Sequence, residues 1–173
     1  PFGPISGPNF LSQKFLVSRT GWTGEMGFEI YTNGPDDDHL GLWDYIMDKG
    51  KLYGIKTAGL DSMGIRRIEA GILDYGTDMN QFNNPFEVGL SSYVDLSKSF
   101  FYGKESLIKM NKNSKLFGIS SQKIVPFSGL EVFEKNRLVG KTTVGAFSPY
   151  LNKGIGYVFF SQCNDWTKKK LLI

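Results

Sequence analysis

The sequence predicts an α+β protein in two parts, and three observations carry that expectation. Between Asp36 and Ala70, apolar side chains recur at helical spacing between helix start and stop signals. From Lys115 onward the texture changes to short β-prone runs. The polar, turn-rich stretch Asp74–Glu87, holding Asn83-Asn84-Pro85, interrupts the helical part. We place the boundary between the α+β part and the all-β part near Leu96–Tyr102.

Residues 1–13 are rich in Pro, Gly and Ser without periodicity and read as a loop or linker. Lys14–Arg19 and Gly27–Thr32 read as two strands joined by a connection containing Gly21, Gly24 and Gly27. Alternation along the second strand directs Phe28 and Ile30 to one face, taken as the core face, and Glu29 and Tyr31 to the other. Asp36–Asp38 supply an acidic helix start, Leu40, Trp43, Ile46 and Met47 an apolar stripe, and Gly50 a stop. A second helix is expected over Ala58–Ala70 with Gly71 as its terminator. A strand over Leu90–Leu96 and a short helix near Lys104–Lys112 follow. The β runs are Leu116–Ser120, Leu130–Phe133, Arg137–Val144 and Ile155–Phe160, with a hairpin turn at Glu134-Lys135-Asn136.

Composition excludes several functions. The 173 residues carry a net charge of +3, and no basic run interleaved with aromatics marks nucleic acid. Lys168-Lys169-Lys170 reads as a solvated cluster. No apolar run approaches a membrane span. Cys163 is the one cysteine, which rules out an internal disulfide and fits a reducing compartment. His39 is the one histidine, so a His/Cys metal site and a Ser–His triad both fail. Asp36–Asp38 lacks calcium-loop spacing, and glycines 21, 24 and 27 match no dinucleotide or phosphate fingerprint.

Two places can carry chemistry. Glu29 and Tyr31 share a strand face next to Trp22, which is held between glycines. A carboxylate, a phenol and an indole suit a flat polar heterocycle, the carboxylate accepting neighbouring ring donors and an aromatic ring covering the face. The same residues also read as a surface Glu, a core Trp and a strand-end Tyr. Arg67 lies on one stripe with Leu60, Met63 and Gly64, and a guanidinium there needs a partner. Candidates are Glu69, Glu29 or a polar ligand. Arg66 and Glu69 read as a surface pair. Gly64 in mid-helix reads either as a close approach by another element or as a tolerated glycine.

The run Ser18-Arg19-Thr20-Gly21-Trp22-Thr23-Gly24-Glu25, continued by Gly27-Phe28-Glu29-Ile30, resembles the signature of the glycine cleavage T-protein (aminomethyltransferase) family. The resemblance extends through Arg67-Ile68-Glu69-Ala70-Gly71, Tyr75-Gly76 with Asp78-Met79, Pro85–Leu90, Gly103-Lys104-Glu105 and Phe147-Ser148-Pro149. It implies that residues 1–98 are the C-terminal portion of a folate-binding aminomethyltransferase domain and residues 99–173 a small antiparallel β-barrel domain. It implies tetrahydrofolate as cofactor and a one-carbon transfer, of an aminomethyl or a methyl group, as reaction. The donor is a small molecule or a lipoyl carrier protein.

Carried over by position, Glu29 holds the pterin edge, Arg67 contacts the folate or braces that carboxylate, and Trp22 and Tyr31 line the cavity. Family members are longer, and the chain starts at Pro1 rather than Met, so it is expected to be a fragment. The missing N-terminal half would supply the aspartate near folate N5, leaving no catalytic residue here. Trp22 and Asn83–Leu90 also resemble the dimethylsulfoniopropionate demethylase branch, in which a sulfonium methyl passes to folate. A non-catalytic folate-binding protein of the same fold is the alternative function. The expected compartment is the cytoplasm, or the mitochondrial matrix in a eukaryote.

Overall fold

The computed structural model describes residues 14–173 and the backbone of Ile5–Ser6, and it contains helices and two antiparallel sheets. The chain forms two compact units, Pro1–Arg66 and Arg67–Ile173. The α+β class holds.

In the first unit, β1 (Ile5–Ser6), β2 (Phe15–Ser18) and β3 (Glu29–Thr32) form an antiparallel sheet in that order. The short β1 lies within the stretch read as loop, the remainder of which falls outside the described residues. Register sets Phe15 opposite Thr32 and Ser18 opposite Glu29, so the glycine-rich connection springs from the Ser18–Glu29 end. The expected core face is not buried: Phe28 is 61% exposed and Ile30 42%. No helix of this unit packs extensively on the sheet among the described residues, so the alternation has no second layer to face. The Arg19 guanidinium lies over the Phe28 ring, 5.2 Å from its centre, and leaves most of the side chain in solvent.

Helix α1 (His39–Gly50) starts where the aspartates predict. Asp38 is its N-cap, accepting the Gly41 N–H at 2.8 Å, while Asp37 accepts the Asn33 N–H and ties the preceding turn. Its buried residue is Leu42, and Leu40 and Trp43 of the expected stripe are exposed. Gly50 does not stop the chain's helical path. A 3₁₀ turn, Lys51–Tyr53, follows, and Gly54 at φ +71° ends it.

Helix α2 (Leu60–Glu69) ends as Gly71 predicts. At φ +76°, Gly71 donates its N–H to Ile68 O, and Ile72 donates to Arg67 O at 2.9 Å. This is a Schellman termination, which satisfies carbonyls left open at a helix end. Gly64 accommodates no neighbour: a Cβ there meets nothing within 4 Å among the described residues. It is the tolerated glycine.

In the second unit, Asn84 Oδ1 accepts the N–H groups of Phe86 and Glu87 and shapes the turn that buries Phe86 and Val88. The strand expected over Leu90–Leu96 is a 3₁₀ turn at Ser91–Tyr93, set off by Gly89 at φ +77°. The run's backbone bonds locally there, Val94 to Ser91 and Leu90 to Pro85, rather than to a neighbouring strand. Helix α3 (Lys104–Lys109) stops three residues early, because the Lys112 ammonium takes the carbonyls of Ile108 and Met110 at 3.0 Å.

Strands β4 (Leu116–Ser121), β5 (Glu131–Glu134), β6 (Arg137–Ser148) and β7 (Lys153–Phe160) form one antiparallel sheet in the order β4-β7-β6-β5. The expected barrel is not closed. β4 and β5 are sheet edges, and the outer side of β5 is met by a bridge between Phe133 and Leu172. β6 runs past the predicted Val144 because Thr143 bulges between the Thr142–Val158 and Val144–Tyr157 pairs, and pairing then resumes to Ser148. The central β7 is buried on both faces. Ile155 and Tyr157 join a cluster with Ile68, Val88 and Leu116, and Val158 and Phe160 join Val132, Val139 and Trp166. The Ile124–Pro126 backbone crosses β6 and β7 at two glycines: a Cβ on Gly145 or Gly154 would lie within 2.3 Å of Pro126 O or Ile124 O.

These two kinds of glycine should respond oppositely in urea melts. Gly64→Ala should stabilise by about 1 kcal/mol, the helix-propensity difference at an open site. Gly154→Ala should destabilise by about 1–3 kcal/mol, since backbone must move.

Candidate functional site

The strand ends and connection of the first unit gather the polar groups singled out in the sequence. At the start of β3, the Glu29 carboxylate accepts hydrogen bonds at Oε2 from the Thr20 hydroxyl and, at 2.9 Å, from the Tyr31 hydroxyl. Ser18 Oγ lies 3.1 Å from Thr20 Oγ1, which extends the chain of hydroxyls to the end of β2. The two hydroxyls, Thr20 first, hold the Glu29 carboxyl below its ordinary range against a small opposing effect of burial. The same bond to a carboxylate raises the Tyr31 phenol. A carboxylate oxygen offers about two lone-pair sites. Oε2 is thus taken by the two hydroxyls, and among the described residues no hydrogen bond meets Oε1.

Trp22 is half-buried in the connection, ahead of Gly24 at φ +73°. Further along, the Glu25 N–H bonds Thr23 Oγ1 at 3.3 Å and its carboxylate pairs with Arg66. These residues border an open pocket of about 600 Å³ with Gly59, Leu60 and Met63. The sequence reading of Arg66 as part of a helix-surface pair missed this bond to Glu25. Forty-one positions separate the two residues, and no local spacing rule reaches that far.

Arg67 belongs to the second unit and is 4% exposed. Its partner there is Asp78, which the list of candidate carboxylates drawn from the sequence did not contain. Arg67 also donates to Ile72 O at 3.2 Å. Asp78, with a fully buried side chain, accepts in addition the Asp74 N–H at 2.9 Å and the Thr143 hydroxyl at 2.6 Å. The Tyr157 hydroxyl donates to Ile68 O at 3.1 Å, and the Arg67 guanidinium lies 6.0 Å from the Tyr157 ring centre. Burial pushes the Tyr157 phenol up to about 12. Among the described residues no group of three His, Cys, Asp or Glu side chains is placed to hold a metal. No helix among the described residues is long and apolar enough to cross a membrane.

Comparison with known proteins decides the family. The model of the GCVT N-terminal domain matches residues 1–98. The chain belongs to this family. An aminomethyltransferase of Caldanaerobacter subterraneus subsp. tengcongensis is 42% identical over 145 residues, covering 82% of this chain and 38% of that protein. One from Aquifex aeolicus is 40% identical over 163 residues, covering 91% and 44%. The crystal structure of glycine cleavage system aminomethyltransferase T from Bartonella henselae matches with a TM-score of 0.69 at 22% identity, over 84% of this chain and 41% of that one. The chain therefore spans about two fifths of the length of these relatives.

Thr20, Glu29 and Tyr31 lie within the residues that the GCVT model matches, and hydrogen bonds join the three side chains. Thr20 was missed as a site residue, although it stands inside the quoted signature. Its role depends on the Ser18–Glu29 register, which the residue string does not display.

The two ion pairs should differ sharply when cut. Asp78→Ala strands a buried guanidinium and should cost about 3–5 kcal/mol in chemical denaturation. Glu25→Ala removes half of an exposed pair and should cost less than about 1 kcal/mol. Tyr157 adds a pH dependence. Its folded value lies above the unfolded one near 10, so the neutral phenol's contribution is complete below pH 10 and is lost as pH rises towards 12. Alkaline melting curves should show this loss, and Tyr157→Phe should flatten it.

Proposed function

We propose that the intact protein transfers a one-carbon unit, aminomethyl or methyl, between a donor and tetrahydrofolate. Glu29 carries the reading: a carboxylate kept ionised by Thr20 and Tyr31, with Oε1 available, in the segment the GCVT model matches. These features fit a pterin, whose ring N–H and exocyclic amine are neighbouring donors for a carboxylate. Trp22 and Tyr31 would cover the ring. When bound, the folate supplies the nitrogen that accepts or gives up the carbon. The protein's part is to hold that ring and the donor in line, where orientation removes much of the barrier, and to set carboxylate charge near positive charge that develops.

The donor is an aminomethyl group on a lipoyl carrier protein or the methyl of a sulfonium or an amine. Further polypeptide, matching the rest of the relatives' length, completes the site. The setting is the cytoplasm or mitochondrial matrix.

Tryptophan fluorescence of the intact gene product, titrated with tetrahydrofolate, tests this reading. Quenching should saturate, and Glu29→Ala should weaken affinity by about 1.5–3 kcal/mol, the worth of a charge-assisted bond. Because the Glu29 carboxyl lies below its ordinary value of 4.5, its share of affinity should persist at pH 5 and fall only at lower pH. Glu29→Gln should lack that component. An unchanged affinity in Glu29→Ala would refute the site. Saturable binding with no turnover of either donor would instead mark a folate-binding protein without transferase activity.

A further inference from the structure

A glutamate on a strand does not by itself define a binding geometry. Its side chain turns about several bonds, and its two carboxylate oxygens are equivalent until neighbouring donors distinguish them. At Glu29 two hydroxyls do so, and they come from different stretches of backbone. Tyr31 lies two residues on along β3 and reaches Oε2 at 2.9 Å with a long side chain that is 48% exposed. Thr20 lies nine residues back, across the glycine-rich connection, and its hydroxyl donates to the same oxygen. The neck of the connection is narrow there: a Cβ on Gly27 would stand 3.9 Å from Thr20 O. Thr20 is short and β-branched, with few χ1 rotamers, so it is the stiffer of the two anchors.

Behind Thr20 stands Ser18, the residue opposite Glu29 in the β2–β3 register, with its Oγ 3.1 Å from Thr20 Oγ1. A hydroxyl has one proton to give and can accept as well. The carboxylate is the stronger acceptor, so Thr20 gives its proton to Glu29 and receives that of Ser18. The chain of bonds therefore runs one way, from Ser18 through Thr20 to Glu29, and each bond polarises the next. Among the described residues no ion pair engages Glu29, and the cation next to Ser18 in the chain, Arg19, lies over the Phe28 ring. Tyr31 is the one titratable group bonded to Glu29, and its phenol, raised from 10, stays neutral throughout the acid range.

We propose that Thr20, oriented by Ser18, is a positioning residue of the candidate site: it ties down Oε2 of Glu29 and so assigns Oε1 to the N–H donors of a bound pterin. The inference rests on the folate reading. Thr20 acts through Glu29 rather than on the ligand. Without its hydroxyl the carboxylate keeps Tyr31 alone and presents either oxygen, so the ligand must bear part of the ordering. The carboxyl also moves up towards its ordinary value of 4.5, because Thr20 is the larger of the two effects that lower it. Affinity that needs the carboxylate is then lost earlier as pH falls.

The test follows quenching of tryptophan fluorescence in the intact gene product by 5-formyltetrahydrofolate, from pH 7 down to pH 4. The formylated N5 has no basicity in that range that could imitate the carboxylate. Thr20→Val keeps size and β-branching at an exposed position, and should weaken binding about three- to tenfold at pH 7, the worth of one hydrogen bond. Its acid loss should also begin at a higher pH. Thr20→Ser keeps the hydroxyl and should restore both, and Ser18→Ala should shift the profile the same way by less. In the ligand-free protein, the Glu29 carboxyl carbon followed by NMR should titrate at higher pH in Thr20→Val and return in Thr20→Ser. Saturable, Glu29-dependent binding that Thr20→Val leaves unchanged in strength and pH profile would overturn this inference and leave the folate reading standing. So would a weakening that Thr20→Ser fails to rescue. No saturable binding by the unaltered protein, or equal binding and an equal pH profile in Glu29→Gln, would overturn both.

Discussion

A guanidinium taken out of water is the constraint around which the second unit is arranged. Arg67 can stay buried because Asp78 balances its charge, and Asp78 can stay buried because Arg67, Thr143 and the Asp74 amide fill its acceptor sites. One carboxylate thereby connects the end of α2, the turn after it and the bulge in β6. The Tyr157 hydroxyl, bonded to Ile68 O, ties β7 to the same helix end. Such a pair adds little net stability compared with well-packed apolar replacements, yet losing one partner is severe. Its physical effect is to make one arrangement of these four elements much better than its neighbours.

The first unit handles charge differently. Glu29 stands near solvent and is kept ionised by hydroxyls rather than by a cation. A carboxylate paired to an arginine would be spent on that partner. One held by two hydroxyl donors keeps its negative charge and an open oxygen, which suits it to bind a ligand's N–H groups. The cost of holding this geometry falls on a short connection, set by the register that places Ser18 opposite Glu29.

Local signals in the sequence were legible where local physics decides. Asp38 caps α1, Gly71 ends α2, and Lys135 at φ +58° turns the β5–β6 hairpin. Glu29 and Tyr31 were paired by strand alternation, and the structure joins them by a hydrogen bond. What escaped depends on distant partners. Asp78 as the counter-charge of Arg67, Glu25 as that of Arg66, and the exposure of Phe28 and Ile30 are all set by what lies opposite in space. The Leu90–Leu96 run has strand-like residues, but an apolar run becomes a strand only where another strand can receive its backbone.

The bulge at Thr143 shows how much one residue can decide. Residues opposite each other on neighbouring strands share a face, so Thr142 lies with Val158, and Val144, only two positions on, lies with Tyr157 on the other side. Thr142 therefore shares the face of Val158 and its cluster, while Val144 and Ala146 beyond the bulge pack against the other cluster. Thr143 acts as a phase shift in a two-beat pattern. Deleting it would remove a hydroxyl from Asp78 but leave the faces unchanged, because Thr142 and Val144 would become neighbours opposite Val158 and Tyr157, which are already neighbours. In a lineage, a residue can therefore be lost at this position with the strand's faces kept, whereas a residue lost within the paired run Val144–Ser148 would turn those beyond it to the wrong face.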